Sequence, residues 1–230
     1  MERREILCYG DSNTWGCIPR WEESDLPSER YDEHTRWPCA AAELLGPGYH
    51  IVEEGLGGRT TVYDRPGEPE KNGEPYLLPC LLSHRPLDLV VIMLGTNDLH
   101  RAVQPDPAHL GAGIRRLIGI VQSTPKCGRG NRPPQVLILA PIPIRPPAPE
   151  GRTLVYDQFA GEIGRNLSLG FPETYRKAAV ETGCRFLNAG DYAEAGAGDG
   201  VHFTAESHLR LGRAVAEEIR AIFEEGRNAR

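Results

Sequence analysis

Apolar residues fall along this chain in short blocks, and the spacing changes from block to block. Ile6 to Tyr9 is a short apolar run that stops at Gly10-Asp11-Ser12. Leu87 to Leu94 is apolar almost throughout and Val136 to Ala140 is another such run, while His50–Glu53 and Arg185–Asn188 read as shorter strands with polar ends. Continuous apolar runs of this length suit strands buried on both faces, as in a parallel sheet. Between them the period becomes helical. Leu110, Ile114, Leu117, Ile118 and Val121 share one helix face, and so do Leu211, Val215, Ile219 and Ile222 near the end of the chain. Thr204 is a suitable N-cap for that last helix. Further helices are expected over Trp37–Leu45, with Pro38 tolerated in the first turn, over Tyr76–His84, and as one or two segments within 154–182.

Strands that alternate with helices imply a parallel sheet with right-handed crossovers. The expected fold is therefore α/β with a five-stranded parallel sheet. No repeat and no shift in composition divides the chain, so residues 1–230 are expected to form a single domain. Three stretches resist regular assignment: 17–35, 61–75 and the proline-rich 141–153. Long loops inside a compact domain tend to be functional.

Composition narrows the partners. The 230 residues are 40% hydrophobic and 25% charged with a net charge of −6, which disfavours nucleic acid as the main partner. No run is long enough to cross a bilayer, and no apolar leader precedes the first strand, so a cytoplasmic protein is expected. Cys8, Cys17, Cys39, Cys80, Cys127 and Cys184 are scattered without metal-type spacing and read as free thiols. His34, His50, His84, His100, His109 and His208 likewise lack paired ligand spacing and read as surface or packing residues.

The chemistry comes from position. Loops that follow parallel strands open on the carboxyl edge of the sheet, where such sheets bind ligands. The first carries Ser12, the second Gly57, the third Asn97, and the last Asp199 and His202. Those are the residue types of acyl transfer: a nucleophile, oxyanion donors, a base and an orienting acid. His202 would deprotonate Ser12, Asp199 would hold the imidazole, and the N–H groups of Ser12 and Gly57 with the Asn97 amide would form the oxyanion hole. Asp191 is a possible alternative acid. Asp11 reads as a brace beside the nucleophile. Trp15 is either core or a wall of the acyl pocket, and Asn13, Thr96 and Val201 are candidate walls from position alone. A Gly-Asp-Ser turn used only for its turn chemistry is the plain alternative. Gly55-Leu56-Gly57-Gly58 also invites a phosphate-cradle reading, but Thr60 stands where G-x-G-x-x-G needs its last glycine, and the Walker lysine is missing.

Taken together, Gly10-Asp11-Ser12-Asn13, Gly57, Gly95-Thr96-Asn97-Asp98 and Asp199-Gly200-Val201-His202 resemble the four ordered blocks of the SGNH hydrolases, or GDSL esterases. The resemblance runs from residue 5 to about 220. It is closest to the bacterial arylesterase/acyltransferase branch, through Thr14-Trp15-Gly16, Glu53-Glu54-Gly55-Leu56 and Arg59-Thr60-Thr61. It implies a flavodoxin-like three-layer α/β/α sandwich, a Ser-His-Asp mechanism without metal or other cofactor, and small ester substrates. It further implies acyl transfer to alcohols or peroxide in some members, and homo-oligomers whose long loops shape the cleft. One departure stands out. Gly57 replaces the serine of a well-known acyltransferase of the branch, which keeps the backbone donor and removes a hydroxyl. Carbohydrate deacetylases and thioesterase/lysophospholipases of the same superfamily are the neighbouring expectations. A non-catalytic acyl- or carbohydrate-binding module is the expectation outside enzymes.

Overall fold

The computed structural model describes residues 3–20, 28–149 and 153–228. Five parallel strands run β1 (Arg4–Gly10), β2 (Tyr49–Gly55), β3 (Leu89–Met93), β4 (Gln135–Ala140) and β5 (Arg185–Asn188), in the spatial order β2-β1-β3-β4-β5. Eight α-helical stretches accompany them among the described residues: α1 (Ser12–Trp15), α2 (Trp37–Leu45), α3 (Gly73–Ser83), α4 (His109–Gln122), α5 (Thr153–Gln158), α6 (Gly161–Ser168), α7 (Phe171–Thr182) and α8 (Ala205–Asn228).

Alternate strand residues divide the core into two layers, as the period of two requires. Leu7, Tyr9, Val90, Ile92 and Ile138 pack with Leu77 and Leu81 of α3, Ile114 and Leu117 of α4, and Phe171 and Tyr175 of α7. Ile6, Cys8, Leu89, Val91, Leu137 and Leu139 pack with Trp37 and Ala41 of α2 and with Leu211, Val215, Ile219 and Ile222 of α8. Burial of an aliphatic side chain contributes roughly 1.5–3 kcal/mol, so these two layers dominate the fold's stability.

Three boundaries differ from the sequence reading. α3 begins at Gly73 instead of Tyr76, because the Asn72 side chain caps it by accepting from Glu74 N at 2.9 Å. Pro75 and Pro79 hide that helix in the sequence by looking like breakers. The 153–182 segment holds three helices where one or two were expected. The breaks fall at Ala160 and Gly161, with φ of 61° and 53°, and at Gly170, which caps α7. β2 extends to Gly55, since the edge strand is half-buried and mixed in polarity along its whole length. Of the irregular stretches, 21–27 and 150–152 lie outside the described residues. Among the described residues, no helix is long and apolar enough to cross a membrane.

Register places the site. Gly10 pairs with Gly55 on one side and Met93 on the other, so β1, β2 and β3 end level with one another. Ser12, Gly57 and Asn97 follow within a few residues of that common edge.

Candidate active site

Each turn at the edge has a local cause. Gly10 is needed for closeness, not for an unusual backbone angle: its φ is not positive, but a Cβ there would stand 2.0 Å from Thr14 Oγ1. Asp11 caps α1 by accepting from Asn13 N at 3.0 Å, and Gly16, with φ of 92°, ends that helix after one turn. Gly55 serves the same purpose from β2, since a Cβ would meet Trp15 N at 2.2 Å. Gly95, with φ of 132°, turns β3 away beneath Tyr175, whose hydroxyl donates to Leu94 O at 2.5 Å.

The groups so placed form a connected chain. Ser12 Oγ lies 3.0 Å from His202 Nε2, and His202 Nδ1 lies 2.7 Å from Asp199 Oδ2. Asp199 is 1% exposed, and its carboxylate accepts further bonds from Val201 N and His202 N at 3.0 Å and from Arg20 N at 3.2 Å. Burial alone would raise the Asp199 pKa, yet the His202 ring, with the N–H groups of His202 and Val201, holds it below the ordinary value. In the neutral ring, a carboxylate at Nδ1 puts the proton there and leaves Nε2 to accept from Ser12. Burial disfavours a charged His202. The Asp199 carboxylate and the adjacent Cys17 sulfur outweigh it and lift the imidazole to about 10. Asp191 is not in this chain; it accepts from Asn188 Nδ2 at 2.7 Å and lines a separate cleft with Tyr192 and Arg210.

Ser12 and His202 open into a cleft of about 590 Å³ whose walls include Gly57, Asn97, Trp15 and Phe159. Gly57 faces Ser12 closely enough that a Cβ would be 4.0 Å from the serine Cβ. The Asn97 amide donates to Asp11 Oδ2 at 3.4 Å. Trp15 is therefore a wall, and His100, read from sequence as surface or packing, is one too. Asp11, Asn13, Thr96 and Val201 do not line the cleft; all are at most 3% exposed and lie behind it. Position in sequence placed them beside the site, but the one-turn helix and the tight loops direct them inward.

That inward layer carries bonds that the sequence did not reveal. Asn13 Nδ2 donates to Val201 O at 3.2 Å, and Asn13 Oδ1 accepts from Phe203 N at 2.9 Å. One amide thus grips the backbone on both sides of His202. Asp98 accepts from Thr61 N at 2.7 Å and Thr61 Oγ1 at 2.6 Å, tying the third loop to the second. Arg59 is 3% exposed and donates to Gly10 O at 2.9 Å and to Glu54 O, so it joins the ends of β1 and β2. Burial raises Asp11 to about 6 and Asp98 to about 7. Nothing in Gly58-Arg59-Thr60 marks this arginine as buried; once buried, such a cation needs acceptors, and the two carbonyls supply them.

His50, His84, His109 and His208 make packing or surface contacts. His208 is fully buried, accepts from Trp37 N at 3.3 Å, and is held neutral by burial, its pKa pushed down to about 3. Glu54, Cys80 and His84 bring possible ligand atoms within 4.8 Å of one another. There His84 Nε2 contacts Glu54 at 2.9 Å and the Tyr76 hydroxyl donates to the same carboxylate, while Arg59 lies over the Tyr76 ring. The carboxylate is thus already supplied with donors, beside a fixed positive charge.

A serine at a cleft wall, paired with a carboxylate-held histidine at the edge of a parallel sheet, is the arrangement of a serine hydrolase. Residues 8–210 match the GDSL-like Lipase/Acylhydrolase family, and the chain belongs to it. Est24, a carbohydrate acetylesterase from Sinorhizobium meliloti, is 39% identical with a TM-score of 0.87, covering 96% of this chain and 100% of its own. The aryl esterase of M. smegmatis is 36% identical with a TM-score of 0.87, over 95% and 99% of the two chains. A second Sinorhizobium meliloti carbohydrate acetylesterase family member is 33% identical with a TM-score of 0.81, over 95% and 98%. Comparison with curated protein sequences found no match. The fold is that of the SGNH hydrolases, and the chain is a hydrolase of this esterase family.

Proposed function

We propose that this protein is a single-domain serine esterase that cleaves short-chain acyl or aryl esters through an acyl-enzyme at Ser12. The observation that carries the reading is the chain Ser12 Oγ–His202 Nε2 at 3.0 Å and His202 Nδ1–Asp199 at 2.7 Å, opening beneath Gly57 and Asn97. Ser12 Oγ attacks the ester carbonyl carbon while His202 Nε2 takes its proton. The carbonyl oxygen becomes an oxyanion, received by the N–H groups of Ser12 and Gly57 and by the Asn97 amide. The C–O bond to the leaving alcohol then breaks, and His202 returns the proton to that alcohol. Water attacks the acyl-enzyme by the same route in reverse, giving the acid and free Ser12. Asp199 keeps the tautomer and stabilises the imidazolium.

The similarity to an aryl esterase and to carbohydrate acetylesterases supports small acyl groups, and Est24 favours acetylated sugars as a second substrate class. Acyl transfer to alcohol or peroxide is part of the proposal, weakened by the missing hydroxyl at Gly57. A cytoplasmic homo-oligomer completes it. The exposed Ile163, Leu169 and Val180 support a subunit contact, and sedimentation at micromolar concentration tests it. The primary test is hydrolysis of 4-nitrophenyl acetate by wild type and Ser12→Ala. Loss of nearly all activity in a folded variant is expected, and a fully active variant would sink the mechanism.

A further inference from the structure

The protein carries a net charge of −6, yet the wall of its cleft is basic. Arg20, Arg65 and Lys71 all line the cleft, and Asp199, already engaged with His202, is the one carboxylate among the described lining residues. Arg20 donates to Ser28 Oγ at 3.0 Å and is occupied by loop contacts. Arg65 and Lys71 are placed differently. Both press against Gly58, the residue after Gly57. A Cβ on Gly58 would stand 2.8 Å from Arg65 Nη1 and 3.3 Å from Lys71 Cδ. Gly58 has φ of 80° and no side chain, so the two cationic side chains can approach the backbone of the oxyanion loop. Neighbouring Cα atoms are about 3.8 Å apart, so this pair borders the position at which the ester oxygen would be held.

Their other partners leave capacity to spare. Arg65 pairs with Glu68 at 2.8 Å, but its remaining contact, Nη1 to Gly58 O, is 3.5 Å long, and its Nε has no acceptor among the described residues. Lys71 comes no closer than 3.9 Å to Glu70, itself 60% exposed. Both side chains are largely covered, at 15% and 20% exposure, so they are held in place and partly shielded from solvent. Charge pairs in such a setting are stronger than at an open surface.

We propose that Arg65 and Lys71 form an anion subsite beside the oxyanion loop, so that the preferred substrates are esters carrying a carboxylate close to the scissile bond. This rests on the esterase reading above and specifies its substrate class. An ester whose carboxylate lies a few bonds from the scissile carbonyl would reach Lys71 and Arg65 while that carbonyl faces Ser12.

Two substrate pairs locate the subsite. 4-Acetoxybenzoate against 4-acetoxybenzamide places the charge on the leaving group, and monomethyl glutarate against methyl pentanoate places it on the acyl group. Wild type should favour the anionic member of at least one pair in kcat/KM by on the order of tenfold at low salt, the scale of a charge-assisted bond discounted for solvent. The preference should shrink several-fold in 0.5 M NaCl, where screening reaches only about 4–5 Å. Lys71→Gln and Arg65→Gln should lower the anionic-to-neutral ratio, and Lys71→Arg should keep it. Equal treatment of both pairs by wild type, or parallel changes for charged and neutral esters in the Gln variants, would overturn the proposal. Failure of the esterase reading is seen separately, as 4-nitrophenyl acetate hydrolysis that survives Ser12→Ala. Glutarate binding to Ser12→Ala by calorimetry reads the subsite without turnover: saturable binding weakened by Lys71→Gln supports it, and no binding at millimolar glutarate counts against it.

Discussion

Replacing Asn13 by alanine removes one side chain and two bonds from the backbone that holds His202. Phe203 N loses its acceptor at 2.9 Å and Val201 O loses its donor at 3.2 Å, in a region where Asn13, Val201 and Phe203 are at most 3% exposed. A buried backbone group left without a partner costs ~1–3 kcal/mol, so the pair places the loss at about 2–4 kcal/mol once relaxation recovers part of it. For a domain of this size each kcal/mol moves Tm by roughly 2–4 °C, which predicts a fall of about 5–15 °C. The activity effect is separate. His202 sits between the two released groups, and a displacement of about 1 Å can cost on the order of a hundredfold. Urea unfolding gives the stability and 4-nitrophenyl acetate hydrolysis at a temperature where the variant is folded gives kcat/KM. Asn13→Asp sharpens the test. It keeps an acceptor for Phe203 N but turns an acceptor toward Val201 O and buries a charge, so it should be no better than alanine. If Asn13→Ala unfolds within ~0.5 kcal/mol of wild type, the range of an ordinary surface change, and keeps kcat/KM within about twofold, the amide does not hold the loop.

Other outcomes follow from the same structure. Asp199→Asn should lower kcat by on the order of 10⁴ with little change in fold, because the imidazole loses its required tautomer. Only neutral His202 can accept the Ser12 proton, and its pKa is raised toward 10. The rising limb of kcat/KM against pH should therefore lie above the ordinary histidine value of about 6.5, and a limb centred at or below that value would contradict the contact with Asp199. Asp98 and Asp11 have folded pKa values raised to about 7 and 6, so the folded protein binds their protons more tightly than the unfolded chain does. Their stabilising contribution is complete below about pH 4 and is lost as pH rises toward 7; Asp98→Asn should flatten the unfolding free energy between those limits, measured in urea. Gly55→Ala puts a methyl 2.2 Å from Trp15 N against backbone that cannot yield, and should destabilise by more than about 3 kcal/mol, read by thermal unfolding.

Much of this arrangement could be read in advance because it depends on short-range pattern. The apolar runs that became β1, β3 and β4 and the helical faces of α4 and α8 follow from period alone. A parallel sheet then brings the loops after β1, β2 and β3 to one edge whatever their detailed shape, which is why Ser12, Gly57 and Asn97 came together from their order in the chain. What escaped the reading depends on side-chain direction within tight turns. Asn13 and Val201 flank Ser12 and His202 in sequence, yet both point into the core, and nothing in a one-dimensional pattern distinguishes a wall from a latch. A glycine before a sharp turn suggests an unusual φ, but Gly10 supplies room for Thr14. Arg59 and Asp98 are the hardest cases, because a buried charge acquires meaning only from partners that are distant in sequence, here Gly10 O and Thr61.

The edge opposite the cleft has a fastening of its own. Asp88, just before β3, accepts from Arg4 at 2.9 Å and from Arg129 and Glu5 N at 3.0 Å, and these donors hold its pKa below normal. The five residues of β3 separate this knot from the turns at the cleft, about 16 Å at 3.3 Å per residue. Substitutions that far apart without shared partners combine nearly independently. A lineage of this fold can therefore recut the rim around Arg65, Lys71 and Trp15 for a new ester while its reserve of stability is adjusted at the other end of the strands. Laboratory evolution of specificity should be able to exploit that separation, with strengthened variants of the Asp88 end serving as parents for libraries at the cleft.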